Sequence, residues 1–565
     1  MSEDSSLVGT PVVPGVGYGP SVRPAPRPTA RADAPDVPEE DREEELERYT
    51  AAAEAVADRL RARAGATDGV AAEVLSATAG LATDRGLRKA VASRIEEGTP
   101  SDRAMAEATE QFSEMFMKVG GVMAERVTDL RDLRDRMIAH VLGLPEPGIP
   151  TPDEPSVLIA HDLAPADTAG LDPNMVVALA TELGGPTSHT AIIARQLGMP
   201  CIVGVNGLMD IEPGQKVLVN GFTGEVVVAP DPDAAQAQVE QAGDYAARIA
   251  AWEGPGQTAD GHLVGLLANV QDGAAARAAA EAVAEGVGLF RTELCFLGQD
   301  REPTVEEQAD IYAEVLEAFP DAKVVIRTLD AGSDKPLKFA GMPDEPNPAL
   351  GVRGLRIATA QPELLDNQLD AIQLAAERTG TTPWVMAPMV ATVAEAAGFG
   401  EKVRARGLVP GVMVEIPATA LLAEAILQEV EFMSLGTNDL TQYTMAADRM
   451  AADLADLTDP WQPAVLRLVH TTAQAGQAVG KQVGVCGEAA ADPFLACVLV
   501  GMGVSTLSAA TAALPAVGMR LGSVDLATCR EAAEAALSAT SAERARTSAR
   551  DIIDAASGIA GVGTG

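Results

Sequence analysis

Between residues 263 and 509 short apolar runs repeatedly end in polar or charged side chains: Asn269, Arg291, Arg327, Glu415, Asn438 with Asp439, and Cys486. Two further arginines, Arg353 in LGVRGLR and Arg449 in AADR, stand in the segments that follow such runs. A guanidinium offers a planar fork that grips carboxylate or phosphate at two points, so four arginines on one face predict a small, multiply charged anion as ligand. The structural alternative is that Arg291 and Arg327 pair with the nearby Glu293 and Asp330. Glu415 and Asp439 beside arginines and an anion suit Mg2+, held jointly by protein and phosphate oxygens; their plainer use is to neutralise the arginines. Cys486, in GVCGE, has an unperturbed pKa of about 8.5, so it is protonated at neutral pH and able to donate. A small buried hydrophobe is its alternative role.

A different chemistry is written in GGPTSHTAIIARQLGMPCIVGV, residues 184–205. It sets His189 between small hydroxyl residues, after two glycines, at the start of an apolar helix. A neutral imidazole can attack phosphorus, and the free N–H groups of a helix start stabilise the phosphoryl group it acquires. His140, His161, His262 and His470 lack such surroundings and read as ordinary.

The elements that must position these residues follow from periodicity. Eight apolar strands, at 263–269, 287–291, 324–330, 384–389, 411–415, 432–439, 483–488 and 505–509, alternate with helical segments. Over about 250 residues that is the arithmetic of a (β/α)8 TIM barrel, whose active site lies at the C-terminal ends of its strands. Upstream, SVLIA, MVVALAT, PCIVGV, KVLVN and EVVVA predict a compact α/β domain over 156–230, and residues 232–252 read as one linking helix that stops at Gly254-Pro255-Gly256. Residues 7–20 read as strand with turns, and 21–38 as a loop rich in Pro, Ala and Arg. From about 39 to 143 the pattern is helical, with a stripe Phe112, Phe116, Val119, Met123, Leu130 and Met137 that predicts the seam of one packed helix kinked at Gly120-Gly121.

Composition narrows the classes of function. The 565 residues suggest about three or four domains, and 42 basic against 81 acidic side chains give a net charge of −39. That excess argues against nucleic acid and anionic membrane as partners. It is densest between Asp33 and Glu47, which reads as a solvated helix start, with an acidic surface facing a partner as the secondary reading. Five cysteines without metal or disulfide spacing, no basic-then-apolar N-terminus and no membrane-length apolar run read as cytoplasmic, with no membrane insertion.

With these motifs assembled, the chain resembles Enzyme I of the bacterial phosphoenolpyruvate-dependent sugar phosphotransferase system, the phosphoenolpyruvate–protein phosphotransferases. The 184–205 segment looks like that family's phosphohistidine signature and EFMSLGTNDLTQYTMAADR, residues 431–449, like its barrel signature; GVGLFRTE, VVIRTLDAGSDK, NPALGVRGLR, GVMVEIPA and VCGEAA support both. The resemblance implies a swivelling phosphohistidine α/β domain from 1–25 and 146–230, an inserted helical domain at 26–145 that docks the phosphocarrier protein HPr, a linker helix at 231–255, and a TIM barrel at 256–565 that binds phosphoenolpyruvate and forms a homodimer. It implies that His189 is phosphorylated on Nε2 and that Arg291, Arg327, Arg353, Asn438, Asp439 and Arg449 bind substrate. Glu415 and Asp439 would ligate Mg2+, Cys486 would protonate the enolate as pyruvate leaves, and Thr168 would orient His189. Departures are Pro186, where the family commonly has arginine, and Asp366 and Asp370, where basic residues are frequent.

The nearest enzyme alternative is a pyruvate phosphate dikinase or phosphoenolpyruvate synthase, which needs a large ATP-grasp domain before the histidine. Here roughly 150 helical residues precede the α/β region and no Gly-rich nucleotide loop is evident. The other is a non-catalytic sensor of phosphoenolpyruvate, which would lack the histidine, an arginine or a metal ligand.

Overall fold

The structure is a computed structural model that describes residues 5–25, 27–65, 76, 78–119, 126–149, 152–163, 171–185, 188–297, 299–332, 337–339, 345–449 and 451–557. The chain divides into two compact units, 1–244 and 245–564, with the boundary inside the helix Pro232–Ala250.

In the first unit, β1 (Ser5–Val8), β2 (Thr10–Val13), β3 (Val16–Val22), β4 (Ser156–Ala160), β5 (Val176–Thr181), β6 (Cys201–Val203), β7 (Lys216–Asn220) and β8 (Glu225–Val228) form one sheet in the order β1-β8-β7-β3-β4-β5-β6-β2. The run β3-β4-β5-β6 is parallel, and β2 is antiparallel to β6. Successive residues of β4 feed opposite cores, Val157 and Ile159 one, Leu158 and Ala160 the other, so SVLIA is apolar throughout because both its faces are covered.

Neighbouring strands β3 and β4 pair Ser21 with Val157 across the whole helical segment, which is therefore an insertion into the sheet's connectivity. Its helices Arg42–Gly65, Arg85–Glu96, Ser101–Val119 and Val127–Leu142 pack around Tyr49, Val56, Leu87, Ile95, Met105 and Leu133. The expected single kinked helix is two. Phe112 and Phe116 stack edge to face at 6.4 Å on Ser101–Val119, while Leu130 and Met137 lie on Val127–Leu142, which packs against it. Gly120, Gly121 and Met123 lie outside the described residues. The acidic run has structural uses. Glu43, Glu44 and Glu45 occupy the first turn of Arg42–Gly65, where carboxylates complement the helix dipole, and Glu45 accepts the Ser101 N–H at 2.8 Å.

In the second unit, β9 (Gly265–Val270), β10 (Gly286–Arg291), β11 (Lys323–Arg327), β12 (Trp384–Ala387), β13 (Val409–Val414), β14 (Phe432–Leu435), β15 (Gln482–Val485) and β16 (Thr506–Ala509) close into a parallel barrel, β16 pairing with β9. A strand stands at each of the eight expected places, but several end earlier than expected: 324–330 is strand only to Arg327, 384–389 to Ala387, 411–415 to Val414 and 483–488 to Val485, which leaves Glu415 and Cys486 just beyond their strands. The apolar run 432–439 is strand only to Leu435; Asn438 and Asp439 lie in the first turn of the helix Thr437–Met445. The departures Asp366 and Asp370 sit on the helix Pro362–Thr379 and meet basic partners from and just after Val393–Arg404. Asp366 accepts from Lys402 Nζ at 2.7 Å, and Asp370 from Arg406 Nε at 2.6 Å. Acid on one helix is thus matched by base on its neighbour.

Candidate active site

In the first unit the helix His189–Leu197 is built by local rules. Ser188 is its N-cap, its hydroxyl accepting the Ala191 N–H at 3.3 Å, and Gly198 closes it in the left-handed conformation at φ 62°. His189 is the first helical residue, where backbone N–H groups have no intrahelical acceptor. Its side chain, together with Thr168 and Pro186, lies outside the described part of the structure.

In the second unit the residues named from strand ends gather at the C-terminal end of the barrel. Arg327, the last residue of β11, donates from Nη2 to Glu293 Oε1 at 2.7 Å and lies 3.2 Å from Asp330 Oδ2. The structural pairing considered for the arginines is thus real for Arg327. Arg291, ending β10, is exposed and makes no ion pair among the described residues. Arg353 grips Asp330 at two points, Nε to Oδ1 and Nη2 to Oδ2, both at 2.9 Å, and reaches Asp439 Oδ1 from Nη1 at 3.2 Å. Burial works against both guanidinium charges, and the surrounding carboxylates more than offset it, so both side chains titrate above the ordinary arginine range.

Glu415 follows β13 directly and is fully buried. Its Oε1 accepts the N–H of Met389 at 3.1 Å, and Met389 is held in the left-handed region at φ 58°, a costly conformation for a long side chain. Glu415 Oε2 is buried without a hydrogen-bond partner among the described residues. Burial, then the negative charge of Asp330, pushes the Glu415 carboxyl up to about 8.

Cys486, immediately after β15, is also buried; its Sγ lies 3.6 Å from the Leu435 carbonyl, and burial raises the thiol to about 11 against an opposing hydrogen bond with Ser434. Asn269 holds the Cys486 carbonyl through Nδ2 at 3.2 Å. The following Gly487 packs so closely on Thr437 that a Cβ would fall 2.0 Å from its hydroxyl, which explains the glycine in VCGE. Asn438 Oδ1 accepts the Glu488 N–H at 3.0 Å, and the exposed Arg449 donates its backbone N–H to Gln442 Oε1 at 3.0 Å.

Sequence reasoning missed Tyr443, whose hydroxyl accepts from Arg353 Nη1 at 3.3 Å and donates to the Ala349 carbonyl. It stands four residues after Asp439 on one helix, a spacing that places both on one face.

Four buried carboxylates, of Glu293, Asp330, Glu415 and Asp439, thus face two buried guanidiniums, an excess of acid that favours a cation. Among the described residues no group of three or more His, Cys, Asp or Glu side chains is arranged to hold a metal alone. The partnerless Oε2 of Glu415 and the carboxylate of Asp439 nonetheless fit Mg2+, which takes one or two protein carboxylates and fills its shell with substrate oxygens and water.

Comparison with known proteins matches the chain to the PEP-utilising enzymes: the N-terminal domain over residues 8–126, the mobile domain over 152–224 and the PEP-binding domain over 248–526. A phosphoenolpyruvate-protein phosphotransferase of Streptomyces coelicolor is 50% identical over 553 residues, covering 97% of this chain and 99% of the relative. The chain belongs to the phosphoenolpyruvate–protein phosphotransferase family. A second member, from Haloferax volcanii, is 39% identical over 83% of this chain and 85% of its own. A multiphosphoryl transfer protein of Xanthomonas campestris is 38% identical over 87% of this chain and 60% of its own length. The phosphoenolpyruvate–protein phosphotransferase likeness therefore spans both units, and the PEP-binding match covers every barrel strand.

Proposed function

We propose that the chain moves the phosphoryl group of phosphoenolpyruvate to Nε2 of its own His189, releases pyruvate, and passes the group to the phosphocarrier protein HPr. The observation that carries this reading is the set of charges at the barrel end: two buried arginines, an acid excess with one partnerless oxygen, and a buried protonated thiol.

Arg291 and Arg449, exposed and without ion pairs among the described residues, are available to take the substrate's phosphate and carboxylate, with Arg327, Arg353 and Asn438 completing the cradle. Glu415 and Asp439 are the residues to hold Mg2+, which when bound would neutralise charge on the phosphoryl and enolate oxygens. His189 Nε2 attacks phosphorus, the N–P bond forming as the bond to the enolate oxygen breaks. Thr168 orients the ring, and the helix start that carries it stabilises the phosphoryl group. Cys486 then gives its proton to the methylene carbon of the enolate, yielding pyruvate; a thiol kept protonated by burial suits a donor.

Because one histidine serves both barrel and carrier, the phosphohistidine domain swivels about the 231–255 helix, and the 26–145 bundle receives HPr. The same reading includes a cytoplasmic enzyme, consistent with five unpaired cysteines, and a homodimer through the barrel, where Leu421 and Leu422 leave apolar surface exposed. No helix among the described residues is long and apolar enough to cross a membrane. Mixing enzyme with phosphoenolpyruvate and Mg2+ is expected to release one pyruvate per active chain in a burst, with continued turnover once HPr is added. No burst with Mg2+ present, or a full burst after chelation, would refute the reading.

A further inference from the structure

If Cys486 protonates the enolate, it must regain a proton before the next turnover, and the barrel interior offers a route. Side chains on a strand alternate between faces, so Gln482, Gly484 and Cys486 form one inward row, Phe432 and Ser434 a second, and Lys323, Val325 and Arg327 a third. The lower end of these rows is polar. Lys323 Nζ lies 3.9 Å from the centre of the Trp384 ring and 5.2 Å from that of Phe432, and donates to Gln482 Oε1 at 2.8 Å.

Above Lys323, Gly484 carries no side chain between Gln482 and Cys486, and the Thr506 hydroxyl takes that place: a Cβ at Gly484 would fall 2.2 Å from Thr506 Oγ1. A cavity of about 10 Å³ lies at this level, lined by Lys323, Ser434, Gly484, Thr506 and Ser508 among others. That is on the order of the room one water needs, and the lining supplies its polar partners. At the top of the cavity stands Ser434, paired in register with Gly484 and so two positions below Cys486 on the neighbouring chain segment. Hydrogen-bonding groups thus run from the barrel's N-terminal opening to the sulfur, through a wall otherwise made of Leu289, Met386, Met413 and Phe432.

We propose that Lys323, through one water in this cavity and the Ser434 hydroxyl, returns to Cys486 the proton it donates in each turnover. The inference rests on the reading of Cys486 as proton donor. After that donation the sulfur is a thiolate. The Ser434 O–H proton moves to sulfur, the water replaces it, and a Lys323 N–H bond breaks to replace the water's proton. Lys323, half-buried, then takes a proton from solvent at the barrel opening, so the cycle is balanced and needs no other reactant. The direction of flow agrees with the environment: burial lowers the Lys323 ammonium to about 8 and raises the Cys486 thiol to about 11.

A thiol that begins protonated completes one turnover without the relay, which gives a test a purely structural lysine would not pass. In Lys323→Met and Ser434→Ala the first-turnover burst of pyruvate is expected at the wild-type rate, with steady-state turnover on HPr lowered about ten-fold or more. Lys323→Arg keeps the charge over the two rings but does not release a proton at neutral pH, so it should show the same split. Equal loss of burst and steady state in all three variants, or wild-type turnover in Lys323→Arg, would overturn the proposal. A Cys486→Ala enzyme with unchanged burst and turnover would instead remove the reading beneath it.

Discussion

The carboxyl of Glu415 offers a quantitative handle on the site. In the metal-free fold burial and Asp330 raise it from 4.5 to about 8, so between those values the folded chain holds a proton that the unfolded chain has released. Stability from this group is full below pH 4.5 and is lost as pH rises towards 8. At about 1.36 kcal/mol per pH unit the interval corresponds to about 5 kcal/mol. Glu415→Gln removes the titration while keeping an oxygen for the Met389 N–H, so its stability relative to wild type should rise by that order across the same interval. The three tryptophans, Trp252, Trp384 and Trp461, all lie in the 245–564 unit, so their fluorescence during urea unfolding in EDTA follows the barrel and not the first unit. Adding Mg2+ with a phosphoenolpyruvate analogue at the alkaline end should stabilise wild type and leave Glu415→Gln nearly unmoved. Parallel pH curves for the two proteins would refute the electrostatic account of the site.

Other consequences are equally concrete. Arg353→Met leaves Asp330 and Asp439 without their shared guanidinium; it should lower barrel stability by about 3 kcal/mol or more and raise the KM for phosphoenolpyruvate, with Asp330→Asn restoring stability but not KM, read by urea melts and steady-state kinetics. Cys486→Ala should slow pyruvate formation about 100-fold while His189 phosphorylation still reaches one per chain, followed by rapid quench. Asp366→Lys places like charge against Lys402 and Arg406 and should cost about 1 kcal/mol, recovered by Lys402→Glu in a double-mutant cycle of barrel melts.

The barrel was legible in the sequence because parallel strands covered on both sides read as unbroken apolar runs, and Arg291, Arg327, Glu415 and Cys486 stand at or directly after the ends of theirs. The same continuity misled at 432–439. Nothing in FMSLGTND marks the point at which the chain leaves the sheet, so Asn438 and Asp439 were expected on a strand and stand on a helix. The stripe from Phe112 to Met137 kept helical spacing across a break between two helices because both bury the same seam. Which carboxylate meets which arginine was beyond reach, since Arg353 and Asp439 lie 86 residues apart and only barrel closure brings them together. Lys323 gave no signal either: a lysine opening a strand looks solvated until closure places Trp384 and Phe432 beside it.

The most direct test of the account is the fate of the phosphoryl group. Incubated with Mg2+ and phosphoenolpyruvate labelled in that group, the wild-type chain is predicted to take up an acid-labile, base-stable label that peptide mapping locates on His189, and to lose it to added HPr. His189→Ala should take up none. Label on any other residue, or undiminished uptake by His189→Ala, would contradict the central claim.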